Sequence, residues 1–179
     1  MAKKVLVLSG SARKGGNSDL LCDQFVKGAK EAGHQVEKIF ISSKKIAPCR
    51  GCYYCENHNG LCAIKDDMAT LLDKIQAADV LVLASPVYFY SVNAQLKAVI
   101  DRCVARWQQI ENKEFYYIMT SGEDSKTVMN CTLECMRGFA ECLEGSQERG
   151  VLCGKGVYER GEIKNKPIYK KAYEMGRKV

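Results

Sequence analysis

The stretch VLVLSGSARKGGNS, residues 5–18, decides the fold of this chain. It begins as a continuous apolar run, which is typical of a strand buried on both faces. A loop of small and hydroxyl-bearing residues follows, and apolar residues at helical spacing then continue over 17–33 until Gly33 ends the helix. A buried strand that leads directly into a helix predicts the first half of a parallel βαβ unit.

The rest of the chain repeats this alternation. We predict further strands over 36–41, 79–85, 115–120 and 150–153, and helices over 66–78, 92–107, 126–143 and 165–178. The pattern predicts one doubly wound α/β domain over 1–179, with a five-stranded parallel sheet in the order 2-1-3-4-5 and helices on both faces. Ligands of such sheets bind at the carboxyl ends of the strands where the strand order reverses, so the loops after strands 1, 3 and 4 should carry the site.

Composition narrows the class of protein. The chain has 179 residues, a formal net charge of +6 and ten cysteines. The positive charge is dispersed, so we expect no nucleic-acid partner, and no stretch reaches the roughly 18 apolar residues of a membrane span. The apolar run near the N-terminus is too short for a signal peptide, which favours a cytoplasmic location where thiols stay reduced.

The loop after the first strand has the composition of a phosphate cradle. Its glycines let backbone N–H groups converge, and the start of the helix adds positive potential. Ser11, Asn17 and Ser18 supply further donors, and Arg13 supplies a charged fork. The dinucleotide and triphosphate fingerprints are missing, so the monophosphate of a flavin nucleotide fits better. The alternative is a solvated turn with a helix cap.

The loops after strands 3 and 4 suit a flat conjugated ring. The segment SPVYFYS, residues 85–91, offers an apolar wall from Pro86, Val87, Tyr88 and Phe89. These aromatic residues would otherwise fill the core or a dimer contact. After strand 4, hydrogen bonds to the polar edge of the ring would come from Ser121, Gly122 and Glu123, although this loop also suits a helix N-cap.

These motifs together resemble the NAD(P)H-dependent FMN reductase family of flavodoxin-like proteins. The resemblance is carried by residues 9–18, by Ser85-Pro-Val-Tyr88 and by Leu96-Lys97 through Ile100-Asp101-Arg102. It implies an FMN phosphate at Ser11, Arg13, Asn17 and Ser18, and the flavin ring against 86–89 and 121–123. It also implies homodimers or homotetramers with FMN near the subunit interface. Ala12 and Ser18 stand where the family often has Pro and Thr.

A second motif occupies the loop after strand 2, which we call the cysteine loop, residues 46–63. Cys49, Cys52, Cys55 and Cys62 have the compact spacing of ligands to a [4Fe-4S] cluster and resemble the iron–sulfur flavoproteins, a branch of the same family. Plain FMN reductases have a similar loop without a cluster. Free structural or redox-active thiols therefore remain an alternative, and a zinc site is another. We expect the other six cysteines to be buried.

Three functions follow as hypotheses. The first is an FMN-dependent oxidoreductase that passes electrons from NAD(P)H to a small acceptor such as a quinone, flavin, nitroaromatic or metal. We expect no catalytic side chains, because no paired carboxylates or Ser/His/Asp set is present and the flavin carries the chemistry. The second is an iron–sulfur flavoprotein that receives electrons from ferredoxin. The third is a non-enzymatic flavin-binding interaction module.

Overall fold

The computed structural model describes residues 1–179, apart from the side chain of Lys126. Its strands are β1 Lys4–Ser9, β2 Gln35–Phe40, β3 Val80–Tyr88, β4 Ser91–Val92, β5 Glu114–Thr120 and β6 Gln147–Gly154. Its α-helices are α1 Asn17–Glu31, α2 Met68–Ala77, α3 Ala94–Arg102, α4 Lys126–Glu141 and α5 Pro167–Gly176. In the part of the chain that the structure describes, no helix has both the length and the apolar character that crossing a bilayer needs.

The five long strands form one parallel sheet in the order β2-β1-β3-β5-β6. This arrangement confirms the predicted order 2-1-3-4-5. The two-residue strand β4 was not predicted; it pairs antiparallel with the end of β3. Because the long strands are parallel, their carboxyl ends share one edge of the sheet, and the loops after β1, β3, β5 and β6 meet there.

The sheet separates two hydrophobic cores, which explains the apolar runs. On one face Leu6 and Leu8 pack with side chains of α2, α3 and α4. On the other face Val5 and Val7 pack with α1 and α5. Successive side chains of a strand point to opposite faces, so a strand covered on both sides must be apolar at every position.

The helix predicted over 92–107 is shorter in the structure. Val92 belongs to β4, where it pairs with Val87, and Asn93 caps α3 by accepting a hydrogen bond from the Leu96 N–H. The helix ends at Arg102, and 3₁₀ turns follow over 103–105 and 107–109. The apolar spacing continues through these turns, and for that reason the sequence pattern overestimated the length of the helix.

The cysteines outside the cysteine loop are only partly buried, so the prediction that all six are core residues was wrong. Cys22 and Cys103 are buried, and burial raises the pKa of the Cys103 thiol to about 12. Cys131 and Cys142 are exposed. Cys131 lies on α4 and Cys142 follows its last residue, and a helix packed on a sheet buries only one of its faces.

Candidate functional site

The loop after β1, residues 10–16, is fixed to the neighbouring strand and helix by Gly10. Its N–H donates to the carbonyl of Ala84 over 2.8 Å, and the Asn93 side chain donates to the Gly10 carbonyl. A Cβ atom on Gly10 would lie 2.7 Å from both Ala84 O and Asn93 Oδ1. Only glycine therefore lets this loop lie so close to β3 and the start of α3.

Ser11 and Arg13 shape the turn that precedes α1. The buried Ser11 hydroxyl donates to the Arg13 carbonyl over 2.8 Å, and it accepts from the Arg13 N–H over 3.2 Å. The exposed Arg13 guanidinium donates to the Tyr158 carbonyl over 3.3 Å. A guanidinium group has five N–H donors, so Arg13 can still donate hydrogen bonds to an anion at the start of α1.

Asn17 and Ser18 form the first turn of α1, where backbone N–H groups have no carbonyl partner within the helix. Both side chains are buried. The Asn17 amide donates to the Glu159 carbonyl over 2.9 Å, and its oxygen accepts from the N–H groups of Gly161 and Ile163. The Asn17 side chain thus ties two loops together, and its backbone N–H remains at the anion-attracting helix start.

Asp19 supports the same loop and was missed at the sequence level. It accepts hydrogen bonds from the Gly15 N–H over 2.8 Å, the Ser9 hydroxyl over 2.7 Å and the Lys38 ammonium over 2.8 Å. Burial raises the pKa of the Asp19 carboxyl, but these bonds, led by that from Lys38, outweigh it and hold the pKa below its ordinary value of 3.8. Lys38 also compensates the negative charge that Asp19 places near the helix start.

The aromatic segment after the predicted third strand is a β-hairpin rather than a loop. Pro86, Val87 and Tyr88 continue β3, and Phe89 and Tyr90 form the turn to β4. The turn residues have φ angles of 48° and 63°, in the left-handed region that non-glycine residues rarely occupy. Pro86 and Val87 are half-buried at the sheet edge, whereas Phe89 is completely exposed. The hairpin thus holds an apolar wall at the site and projects a bare aromatic ring beyond it.

The loop after β5, residues 121–125, is stabilised by a hydrogen bond to the hydroxyl of its first residue. The buried Ser121 side chain accepts a hydrogen bond from the Glu123 N–H over 3.1 Å, while Gly122 and Glu123 are exposed. The Tyr158 ring covers Gly122 so closely that a Cβ there would lie 2.9 Å from Tyr158 Cδ2. The three residues predicted to meet the polar edge of the ring therefore lie together at the sheet edge.

The loop after β6, residues 155–163, joins these parts and was not predicted as part of the site. The N–H of Val157 donates to the Ser121 carbonyl over 3.0 Å, and carbonyls of this loop accept from Arg13 and Asn17. The Arg160 side chain contacts Gly15 and adds another cation beside the β1 loop. The only sequence signal for this segment is the strand predicted directly before it, and that pattern indicates no ligand contact.

The four cysteines of the cysteine loop line one cavity of about 780 Å³. Its other walls come from α3, α4 and the residues that directly follow them, and these walls add Cys103, Cys135 and Cys142. Two of the four thiols accept backbone hydrogen bonds: Cys49 from the Gly51 N–H over 3.5 Å and Cys62 from the Ile64 N–H over 3.4 Å. Within the described residues, no three Cys, His, Asp or Glu side chains are already grouped closely enough to hold a metal ion.

The chemistry of this loop fits a thiolate-bound cluster. Burial raises the pKa of the Cys55 thiol, and the negative charges of the Cys62 and Cys49 thiolates raise it further. Gly51 and Tyr53 have φ angles of 61° and 54°, which turn the backbone tightly between successive cysteines. Backbone N–H bonds to sulfur are among the features that tune iron–sulfur sites. His58 stacks on Tyr54 instead, and its ring nitrogen pairs with the Tyr54 carbonyl over 2.8 Å.

Comparison with known proteins agrees with this geometry. A model of the family described as NADPH-dependent FMN reductase matches residues 3–134. The chain belongs to the NADPH-dependent FMN reductase family. The family inferred from residues 9–18, 85–88 and 96–102 is thereby confirmed.

Two curated relatives are named iron–sulfur flavoproteins. One from Methanosarcina thermophila is 41% identical over 101 residues, which cover 56% of this chain and 52% of the relative. One from Archaeoglobus fulgidus is 43% identical over 99 residues, covering 55% of this chain and 44% of the relative. The chain spans about half the length of the curated relatives it matches.

Among solved structures, an NAD(P)H:quinone oxidoreductase from Methanothermobacter marburgensis is similar in fold. The TM-score is 0.79 with 16% sequence identity, and the match covers 99% of this chain and 96% of that chain. At this level of identity the comparison confirms the flavodoxin-like fold, and the ligands of that protein are its own.

Proposed function

We propose that the chain binds FMN at the carboxyl edge of β1, β3 and β5 and passes electrons from NADH or NADPH to a small acceptor. The acceptor class is a quinone, a free flavin, a nitroaromatic compound or a metal ion. The observation that carries this proposal is one hydrogen-bonded edge, in which the β6 loop joins the β1 and β5 loops and Gly10 ties the β1 loop to β3. Membership of the NADPH-dependent FMN reductase family supports it.

The residues present fit FMN. A Cβ atom on Gly16 would lie 2.7 Å from Ser11 Oγ and 2.9 Å from the Arg13 carbonyl oxygen. The turn before α1 is therefore so tight that only glycine fits at this position. The N–H groups of Asn17 and Ser18, with Arg13, would hold the phosphate. Pro86, Val87, Tyr88 and Phe89 would line the ring, and the segment 121–123 would meet its polar edge.

Bound FMN would supply the redox chemistry, namely hydride acceptance from a nicotinamide and onward electron transfer. The protein contributes binding and orientation. The buried network around Asp19 keeps the β1 loop in one shape before any ligand arrives, and such preorganisation lowers the entropy that binding loses. Arg13 and Arg160 add positive charge that attracts both the FMN phosphate and the phosphates of the nicotinamide nucleotide.

Specific observations favour a second centre. The four-cysteine motif lines one cavity, and the relatives at 41% and 43% identity are named iron–sulfur flavoproteins. We propose that Cys49, Cys52, Cys55 and Cys62 bind a [4Fe-4S] cluster, which supplies single-electron transfer. Ferredoxin is then the proposed electron donor, as an alternative to direct reduction by a nicotinamide.

The exposed aromatic turn supports a proposal on assembly. Tyr88, Phe89 and Tyr90 are all exposed at the tip of the hairpin, beside the proposed flavin site. We propose that they form the contact of a homodimer or homotetramer, so that a second copy covers the ring. A monomer by light scattering at micromolar concentration would contradict this assembly.

The visible spectrum of anaerobically purified protein tests both centres. Oxidised flavin bands alone support the first centre only, whereas an additional broad absorbance from thiolate-bound iron, with iron and acid-labile sulfide by chemical analysis, supports both. Bleaching of the flavin bands by NADH or NADPH tests the hydride step. A colourless protein that takes up no added FMN would refute the enzyme and leave a non-enzymatic role.

A further inference from the structure

Among the charged side chains that the structure describes, the most deeply buried one contacts neither the FMN loops nor the sheet. Arg102 ends α3, and only 2% of it is exposed. Its Nη1 donates to Asp66 Oδ2 over 2.8 Å and to the Ala47 carbonyl over 2.7 Å. Its Nη2 donates to Asp66 Oδ1 over 2.9 Å and to the Ile64 carbonyl over 3.5 Å.

These contacts close the neck of the cysteine loop, by which we mean Ala47, Ile64, Asp66 and Arg102. Ala47 stands at the start of the loop and Ile64 just beyond its end, so one guanidinium holds both. Asp66 holds Ala47 a second time, because its carboxylate accepts from the Ala47 N–H over 2.9 Å. The planar fork of arginine suits this task, and lysine cannot reproduce it.

A buried ion pair is weak evidence for stability, since apolar residues of similar volume often stabilise as much or more. Its use here must lie in the geometry that it imposes. One donor of Arg102 is also left over: Nε is buried and has no hydrogen-bond partner. Cys62 and Arg102 line the same cavity and both contact Ile64, since the Cys62 sulfur accepts from the Ile64 N–H over 3.4 Å and Arg102 donates to the Ile64 carbonyl.

We propose that Arg102 is the positioning residue of the cysteine loop, which closes the loop at its neck and places a fixed positive charge beside Cys62. The proposal rests on the proposed cluster for its electronic part and on the contacts of Ala47 and Ile64 for its mechanical part. A cation beside a ligand sulfur favours the more negative, reduced state of a cluster. Arg102 therefore both shapes the loop and raises the reduction potential of what the loop binds.

Two substitutions separate the two parts. Arg102→Lys keeps the charge but loses the fork, and Arg102→Gln loses both. We expect trypsin to cleave after the exposed Arg50 roughly tenfold faster in either variant, because loss of the neck contacts raises the open population of the loop. We expect the midpoint potential of the cluster to stay near the wild-type value in Arg102→Lys and to become more negative in Arg102→Gln.

The controls keep the outcome decisive. Arg149→Lys changes an arginine that pairs with Glu114 outside this neck, and it should leave cleavage and potential unchanged. Flavin absorbance and thermal melting report whether each variant folds. If neither Arg102 variant folds, hydrogen exchange of the wild type decides: the Ala47 amide should exchange far more slowly than the amide of Tyr53 at the loop tip.

Wild-type cleavage rates in both folded variants, or equal exchange at Ala47 and Tyr53, would overturn the mechanical part. A potential that is unchanged in Arg102→Gln would overturn the electronic part. Failure of the cluster proposal itself looks different, because the wild type would then contain no iron while the cleavage and exchange experiments still report on the neck.

Discussion

The β1 loop and the cysteine loop are both proposed to hold cofactors, but the chain prepares them in different ways. The β1 loop is held at several points by buried and half-buried hydrogen bonds, from Gly10 at its start to Asn17 in the first turn of α1. The cysteine loop is held at its neck, and Cys49 and Cys52 beyond it are exposed. A phosphate requires donors that are already in place, whereas thiolates can close around the metal that they bind.

The largest expected effect tests whether the cysteine loop binds its cofactor independently of the β1 loop. Cys52→Ser should reduce the iron content of the protein to background, because a [4Fe-4S] cluster of this kind needs four thiolates. FMN content should stay at the wild-type level, since the β1 loop does not depend on the metal. Chemical iron analysis and flavin absorbance of the same sample measure both.

Cys131→Ser is the matched control for this experiment. Cys131 is an exposed thiol on α4 that does not line the cavity, so its loss should change neither content. Iron retained at the wild-type level in Cys52→Ser would exclude Cys52 as a ligand.

The next effect tests the β1 loop as a phosphate site. Arg13→Ala should weaken FMN binding by roughly tenfold to hundredfold, which is the range of one or two charge-assisted hydrogen bonds. Iron content should not change. Titration of flavin fluorescence quenching gives the dissociation constant, and Lys14→Ala, which removes a neighbouring exposed cation, should have a smaller effect. Equal affinities for the wild type and Arg13→Ala would refute the phosphate assignment.

A third experiment measures how much the Asn17 side chain contributes to the stability of the linked β1 and β6 loops. Asn17→Ala should lower the free energy of unfolding by about 2 kcal/mol, because it removes hydrogen bonds to Glu159, Gly161 and Ile163 at a buried position. Urea denaturation of the FMN-free protein measures this change. A loss below about 0.5 kcal/mol, the size expected of an ordinary surface change, would mean that the β1 and β6 loops do not depend on this link.

The smallest expected effect is a dependence on pH. Because the pKa of Asp19 is lowered in the folded protein, its contribution to stability is present above the unfolded pKa of about 4 and is lost as the pH falls through the folded value. Asp19→Asn should therefore be less stable than the wild type near neutral pH, with a shallower decline between pH 5 and pH 3. Parallel declines in urea titrations at several pH values would contradict this role.

Much of the fold could be predicted because the determining signals are local. The apolar runs of β1 and β3 and the glycines after β1 follow from burial on both faces and from close backbone approach, which a single stretch of sequence reports. The turn at Phe89 and Tyr90 could not be predicted, because left-handed turns are usually marked by glycine or asparagine, and neither residue is present there.

The site was predicted less completely for a related reason. Ser11 and Arg13 lie in a loop whose composition is typical of phosphate binding. The partners of Asn17, however, lie in the β6 loop, far along the chain. The same holds for Arg102, whose contacts join α3 to both ends of the cysteine loop. Contacts between distant segments leave no periodic trace in the sequence.

The closed neck also has a consequence for how such a chain can change over evolutionary time. Since Ala47 and Ile64 are fixed to each other by Arg102 and Asp66, we expect insertions or deletions between them to leave the sheet and the flavin edge undisturbed. We therefore expect that cysteines can be gained, lost or respaced within this loop without compensating changes in the rest of the domain.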